Sequence, residues 1–169
     1  MRCTEKGLPS SGELNLSWQD SRQIQACMES TFNAILETRM RDMPFINPAL
    51  SVQAIGFGRI MNDWLGVLLT PWSMNLLLLP TIESKWVSLA PGQQFEQNFP
   101  SGRFIFTAAH EDGLGVYAQC SLFSPMQQFQ DQLAAQTAAR SALTALLTPE
   151  APASLSRRDW LRGRLAKPK

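Results

Sequence analysis

A single histidine, a single tyrosine and three cysteines stand among these 169 residues, and that scarcity excludes much chemistry. His110 sits beside Glu111 and Asp112 at an expected hairpin tip. Adjacent acids supply no separated ligands, so a solvated turn outweighs metal or acid–base work. Cys3, Cys27 and Cys120 lie far apart and contain no Cys-x-x-Cys pair, which leaves no readable zinc or rubredoxin-type iron site. Two of them fall in apolar patterns, where free cysteine behaves as a small hydrophobe and a reduced, buried thiol is expected. There is no GxxxxGK[ST] loop, no GxGxxG following a strand and no GxSxG. Gly56 and Gly58 form a GxG only inside a strand pattern. With no nucleophile, base or metal cage in view, the expectation is a protein that is not an enzyme and carries no cofactor, although sites can assemble from scattered residues.

Charge is also scarce. Charged residues make up 17% and the net charge is +1, so nothing drives the whole chain toward nucleic acid or an anionic membrane. The longest apolar run, Leu76 to Leu79, ends at Pro80 and is strand-sized, far short of a membrane span. The N-terminal stretch MRCTEKGLPSSGEL contains Glu5 and Glu13 and no apolar core, unlike a signal peptide. A cytoplasmic location without membrane insertion is therefore expected. Hydrophobic residues reach 44%, an ordinary globular balance, and the length suits one domain with a real core.

The pattern along the chain is helix, a run of strands, then helix. Residues 1–16 are rich in Ser, Gly and Pro and expected to be loose. Ser17 and Asp20 resemble a capping box, with Asp20 or Ser21 as alternative caps. Beyond them Ile24, Cys27, Met28, Thr31, Ile35 and Met40 recur near helical period as far as about Arg41, and Pro44 and Asn47-Pro48 end the helix. Residues 51–61 alternate, with Val52, Ala54 and Phe57 on one side. Asn62-Asp63 is a turn candidate, and 64–70 reads as the return strand. Gly56, Gly58 and Gly66 point to a bulge or a close backbone approach. After Pro71 the chain resumes as a strand from Trp72 to Leu79, apolar on both faces and so expected to be central. An irregular stretch, 81–92, holds Trp86. Strands follow at 95–99, 103–107 and 116–122, with turns at Pro100-Ser101-Gly102 and Glu111-Asp112-Gly113. Ser124-Pro125 then reads as a helix start, Pro125 in the first helical position. Met126, Phe129, Leu133, Thr137, Leu143, Leu146 and Leu147 are expected as that helix's inner stripe. Segregated elements with hairpin-length links mean α+β: an antiparallel sheet of five to six strands, flanked by an N-terminal and a C-terminal amphipathic helix over 17–148, with 149–169 a Pro/Ala linker and basic tail. Two helices fully cover only one sheet face, which leaves the other partly open to a partner.

Two segments look like recognition surfaces. In LTPWSMNLL, Pro71 holds a bend and Trp72 offers a broad flat ring; Trp64 lies eight residues earlier. Both tryptophans fill the core on one reading. On the other, the kink at Thr70-Pro71-Trp72, with Met74 behind it, leaves a groove where an extended peptide docks. In CSLFSPM, Ser124 and Pro125 form the strand-to-helix junction, and Met126 with Met61, Met74 and Phe123 is either adaptable binding surface or ordinary core. The tail carries SRRDWLR, which resembles the core of a twin-arginine (Tat) export signal, yet it stands where no apolar stretch follows. Its Arg157 and Arg158 are suited to binding acids bidentately, and a solvated basic tail is the plainer alternative.

The strings WLGVLLTPWSMNLLLLP (64–80) and FTAAHEDGLGVYAQCSLFSPM (106–126), with the flanking helices, resemble the [NiFe]-hydrogenase assembly chaperone family of the HybE/HupJ type, from about Gln23 to Leu147. Trp64, Thr70-Pro71-Trp72, Asp112-Gly113, Cys120-Ser121-Leu122 and Ser124-Pro125 carry the resemblance. It implies a non-enzymatic cytoplasmic maturation factor. Its partner would be the hydrogenase small-subunit precursor with its Tat signal, with the large subunit and other maturation factors as further partners. The implied partner-binding residues are Trp64, Thr70, Pro71, Trp72, Met74, Ser124, Pro125, Arg157 and Arg158. Some relatives carry a fused rubredoxin domain, whose Cys-x-x-Cys pairs are missing here. Two alternatives stay open: a small redox or sulfur-transfer protein using Cys120, and a structural subunit of a larger assembly complex.

Overall fold

The computed structural model describes residues 18–149. The expected loose segment 1–16 and nearly all of the linker and tail, Arg157 and Arg158 included, lie outside them. Helix α1, Ser21–Ile35, opens where Asp20 accepts a hydrogen bond from the Gln23 amide at 2.8 Å, satisfying one of the free first-turn donors. Ile24, Cys27, Met28 and Phe32 make its buried stripe. The helix does not stop at Ile35: Leu36–Met40 continues it as a wider π-helical turn, a form the apolar spacing did not reveal. Arg39 in that turn bonds Glu111 at 2.6 Å and so ties the helix end to the sheet.

Six antiparallel strands follow: β1 Gln53–Ile60, β2 Asp63–Leu69, β3 Met74–Pro80, β4 Gln94–Phe99, β5 Gly102–Glu111 and β6 Gly115–Phe123, in spatial order β1-β2-β3-β6-β5-β4. β3, apolar but for Asn75, is central, as its composition predicts. In β1 the register slips between Ile55 and Gly58, with Gly56 at φ 66°, the bulge the glycines announced. Gly66 meets the other expectation, since a Cβ there would lie 2.5 Å from the Phe57 ring. At Gly58 there is open space. The first hairpin turns one residue earlier than expected. Ile60 pairs with Asp63, so Met61-Asn62 makes the turn and Asp63 belongs to the strand. There its buried carboxylate accepts from Ser84 Oγ and, at 3.1 Å, from Trp86 Nε1. These bonds pin the 81–92 connection against the sheet, where Trp86 stacks on Phe95 with ring centroids 5.3 Å apart.

The C-terminal helix departs from the sequence reading. Helix α2 is Gln132–Leu147, capped by Asp131, whose carboxylate accepts from the Ala134 amide at 2.7 Å. Ser124-Pro125 does not start it; that peptide bond is cis, and 124–131 is an irregular segment. The Asn47 side chain takes up two carbonyls of this segment, at Met126 and Phe129, and Asp131 supplies the stronger cap. The inner stripe is also different: Ala135, Ala139, Ala142 and Leu146 are buried, whereas Leu133 is 70% exposed and Thr137 and Leu147 face solvent. A helix lying close on the sheet favours small side chains, and α2 buries three alanines with Leu146.

The two helices lie on opposite faces of the sheet. Along β2, Leu65, Val67 and Leu69 join the α2 core with Leu76, Leu78, Phe106 and Ala118, whereas Trp64 and Leu68 join the α1 core with Leu77, Leu79 and Tyr117. Side chains alternate across a strand, so the two cores are the two faces. The sequence reading expected one face fully covered and the other partly open, without saying how the helices divide; they take one face each. Among the described residues part of the α1 face stays open, where register places Glu96, Asn98, Arg103 and the exposed Ile105 together.

Candidate functional site

The β2–β3 connection is a short turn built by one hydroxyl. Leu69 pairs with Met74, and between them Thr70 Oγ1 accepts from the Ser73 amide at 3.0 Å and donates to the Ser73 carbonyl at 2.9 Å. The Thr70 amide also reaches the Ser73 carbonyl, at 2.8 Å. Pro71 and Trp72 form the tip of the turn, Pro71 covered and Trp72 half-buried; the fixed φ of Pro71 suits a turn and its missing N–H is not needed there. Across the sheet Met74 pairs with Phe123, so Ser124 and Pro125 leave β6 beside this turn. The two segments singled out in the sequence therefore share one end of the sheet.

Asn47 joins them. Its amide donates to the Pro71 carbonyl at 2.9 Å, and its Nδ2 donates to Met126 O at 3.0 Å and Phe129 O at 2.9 Å. Its Oδ1 accepts from the Ala49 amide at 3.0 Å. In the sequence Asn47 read only as the start of a loop. The available signal was Asn before Pro, a frequent side-chain-to-backbone turn former. Gln127 Nε2 adds a bond to Phe45 O at 2.7 Å. Residues 43–49 are thus held between the Thr70–Ser73 turn and the 124–129 segment.

Burial sorts the proposed contact residues. Thr70 and Met74 are buried and Pro71 is covered, so they shape the turn from inside. Met126 is fully buried, so the adaptable-surface reading of Met74 and Met126 gives way to core packing. Trp72 is half-buried, resting on the α1 core, and Ser124 and Pro125 are exposed. Phe45, 40% exposed, and Met43 add apolar surface that the sequence reading missed. Trp64 does not belong here. It is buried about 17 Å along β2, five residues from Leu69. Its ring carries the Arg59 guanidinium at 5.3 Å.

Cys120 pairs with Leu76 and packs, half-buried, against the α2-side core. Among the described residues no group of three His, Cys, Asp or Glu side chains could hold a metal ion. Under α1, burial pushes the Tyr117 phenol up from 10.0 to about 12, helped by the Glu111 carboxylate and opposed by Arg39. This end of the sheet offers an aromatic ring, prolines and exposed backbone turns, which is the material of apolar contact.

Residues 23–163 match the family described as [NiFe]-hydrogenase assembly, chaperone, HybE. HupJ of Bradyrhizobium diazoefficiens, a hydrogenase expression/formation protein, is 35% identical over 151 residues, 83% of this chain and 88% of that one. A rubredoxin-named HupJ of Rhodobacter capsulatus is 37% identical over 140 residues; the match spans 83% of this chain and half of that protein. The solution structure of Escherichia coli HybE shares the fold, with a TM-score of 0.61 and 24% identity over 79% of this chain and 85% of that one. Among the described residues no helix is long and apolar enough to cross a membrane. With a family match running through both helices and all six strands, the chain belongs to the [NiFe]-hydrogenase assembly chaperone family.

Proposed function

We propose that this chain is a cytoplasmic assembly chaperone that binds the immature small subunit of a [NiFe] hydrogenase, a precursor bearing a Tat signal, and aids its maturation and pairing with the large subunit. The family match over residues 23–163 carries the reading. The contact surface is the end of the sheet where Trp72, Ser124 and Pro125 stand exposed or half-exposed with Phe45, over a scaffold of Thr70, Pro71 and Met74. Trp64 supports the same sheet from within. An aromatic ring half set into the core is already ordered, so a partner covering it loses little conformational freedom on binding. The protein holds its client and does not transform it.

Co-purification from cells that express the hydrogenase subunits tests the proposal. The expected result is recovery of the small-subunit precursor with the wild-type chain. Trp72→Ala should lower affinity roughly tenfold, in the range of a single aromatic contact. Ile82→Ala, 85% exposed just past Pro80 at the opposite end of β3, should leave it unchanged. Failure to recover any hydrogenase polypeptide would sink the reading.

A further inference from the structure

The two edges of the sheet are treated differently. At the β1 edge the outward Ala54 amide donates to Glu29 Oε1 at 3.0 Å, and the Gln132 side chain bonds both the amide and the carbonyl of Ser51. Helices thus cap that edge on both sides. Among the described residues the β4 edge has no such cover. Phe99 and Gly102 flank a two-residue turn and face each other across the ladder. Antiparallel alternation then turns the backbone groups of Phe95, Gln97 and Phe99 toward β5 and those of Gln94, Glu96 and Asn98 outward. No described group bonds these outward amides and carbonyls. A bare edge of this kind is a template for another strand.

We propose that residues 153–160 of the chain's own tail add to β4 as a seventh, antiparallel strand. Position supports this. The Ser101 amide donates to Leu146 O at 3.3 Å, so α2 ends against the β4–β5 turn, beside the last residue of β4. A chain that leaves there and runs back along β4 is antiparallel to it. Residues 149–153 reach roughly 13 Å when extended, enough to round the turn. The six residues of β4 then need about 20 Å of strand. Sequence supports it too: between Pro152 and Pro168 the tail has no proline, so every residue can donate to a ladder. Charge adds to this. Residues 18–149 carry ten acidic against seven basic side chains, whereas 150–169 carry six basic against two acidic. Consecutive strand residues point to opposite faces, so in any register one of Arg157 and Arg158 lies on the Glu96 face. Finally, the family match continues to residue 163, well past the end of α2, so this part of the tail belongs to the length the family shares.

Amide hydrogen exchange read by NMR tests the proposal independently of any client. In the full chain the amides of Gln94, Glu96 and Asn98 should exchange at least about tenfold more slowly than in a chain ended at residue 149. Ser156→Pro with Arg158→Pro in the full-length chain should release the same three amides, and serves if the shortened chain does not fold. Equal exchange in full and disrupted chains overturns the proposal, whether fast in both, which leaves the edge bare, or slow in both, which gives its cover to another element. Protection that rises with protein concentration, together with the mass of a dimer, also overturns it and assigns the edge to a second copy.

Discussion

The Asn47 side chain donates to two carbonyls that stand 79 and 82 residues further along the chain, and its own amide holds Pro71. Asn47→Ala takes the side-chain donor from the Phe129 carbonyl and leaves the Met126 carbonyl with the Phe129 amide at 3.2 Å. An unsatisfied buried acceptor costs about 1–3 kcal/mol, so urea unfolding should show a loss of about that size. Tyr117 makes a second prediction at this scale. Its phenol titrates at about 12 in the folded chain and near 10.0 when exposed. The folded state therefore holds this proton more tightly, and stability is full below pH 10 and falls as pH rises from 10 to 12. The loss is at most about 2.7 kcal/mol at about 1.4 kcal/mol per pH unit. Tyr117→Phe should flatten that alkaline decline in unfolding free energy measured across the window, relative to wild type.

At the scale of elements, α2 shows how hydrophobicity and contact part company. Its leucines drew the expected stripe through Leu133 and Leu147, yet Ala135, Ala139 and Ala142 face the sheet. Close approach selects small side chains at the contact, and Leu143 already crowds Gly56, where a Cβ would lie 2.6 Å from its Cδ1. Ala139→Leu should therefore destabilise by about 1–3 kcal/mol through overpacking, whereas Leu133→Gln should stay within about 0.5 kcal/mol of wild type. Chemical denaturation of the two variants decides this, and equal losses would contradict the placement. The strands were easier to read. Alternation in β6 and the apolar run of β3 are local patterns that survive packing unchanged, and β1 keeps its alternation on either side of the Gly56 bulge. The π-helical turn at Leu36–Met40 and the late start of α2 were not legible, because tertiary partners, Glu111 in one case and Asn47 in the other, hold them.

On the scale of the whole molecule, one helix on each face turns the sheet into the middle of three layers, and the proposed contact surface lies at one end of it. Cys120 packs half-buried against the α2-side core and pairs with Leu76, two residues from Met74, while Trp72 rests on the α1 core. Cys120→Ser should leave client affinity and hydrogenase maturation within about twofold of wild type, since few residues near an interface carry its binding energy. A large loss of maturation with intact client binding would favour the redox alternative. The candidate site was partly legible. Thr70-Pro71-Trp72 and Ser124-Pro125 stood out by residue type, and the pairing of Met74 with Phe123 brings them together. Phe45 and Met43 did not stand out, because an apolar residue in a loop has no period to betray it.

The sequence by itself determined the order and type of the elements, the central place of β3 and the turn chemistry around Pro71. These follow from propensity and periodicity, which act over a few neighbouring residues. Only the tertiary structure decided that the helices take opposite faces, that three alanines with Leu146, rather than Leu133 and Leu147, make the buried stripe of α2, and that a buried asparagine joins segments far apart in the chain. Such choices depend on how closely two surfaces can approach and which distant polar groups remain to be satisfied, and neither quantity exists until the chain has packed.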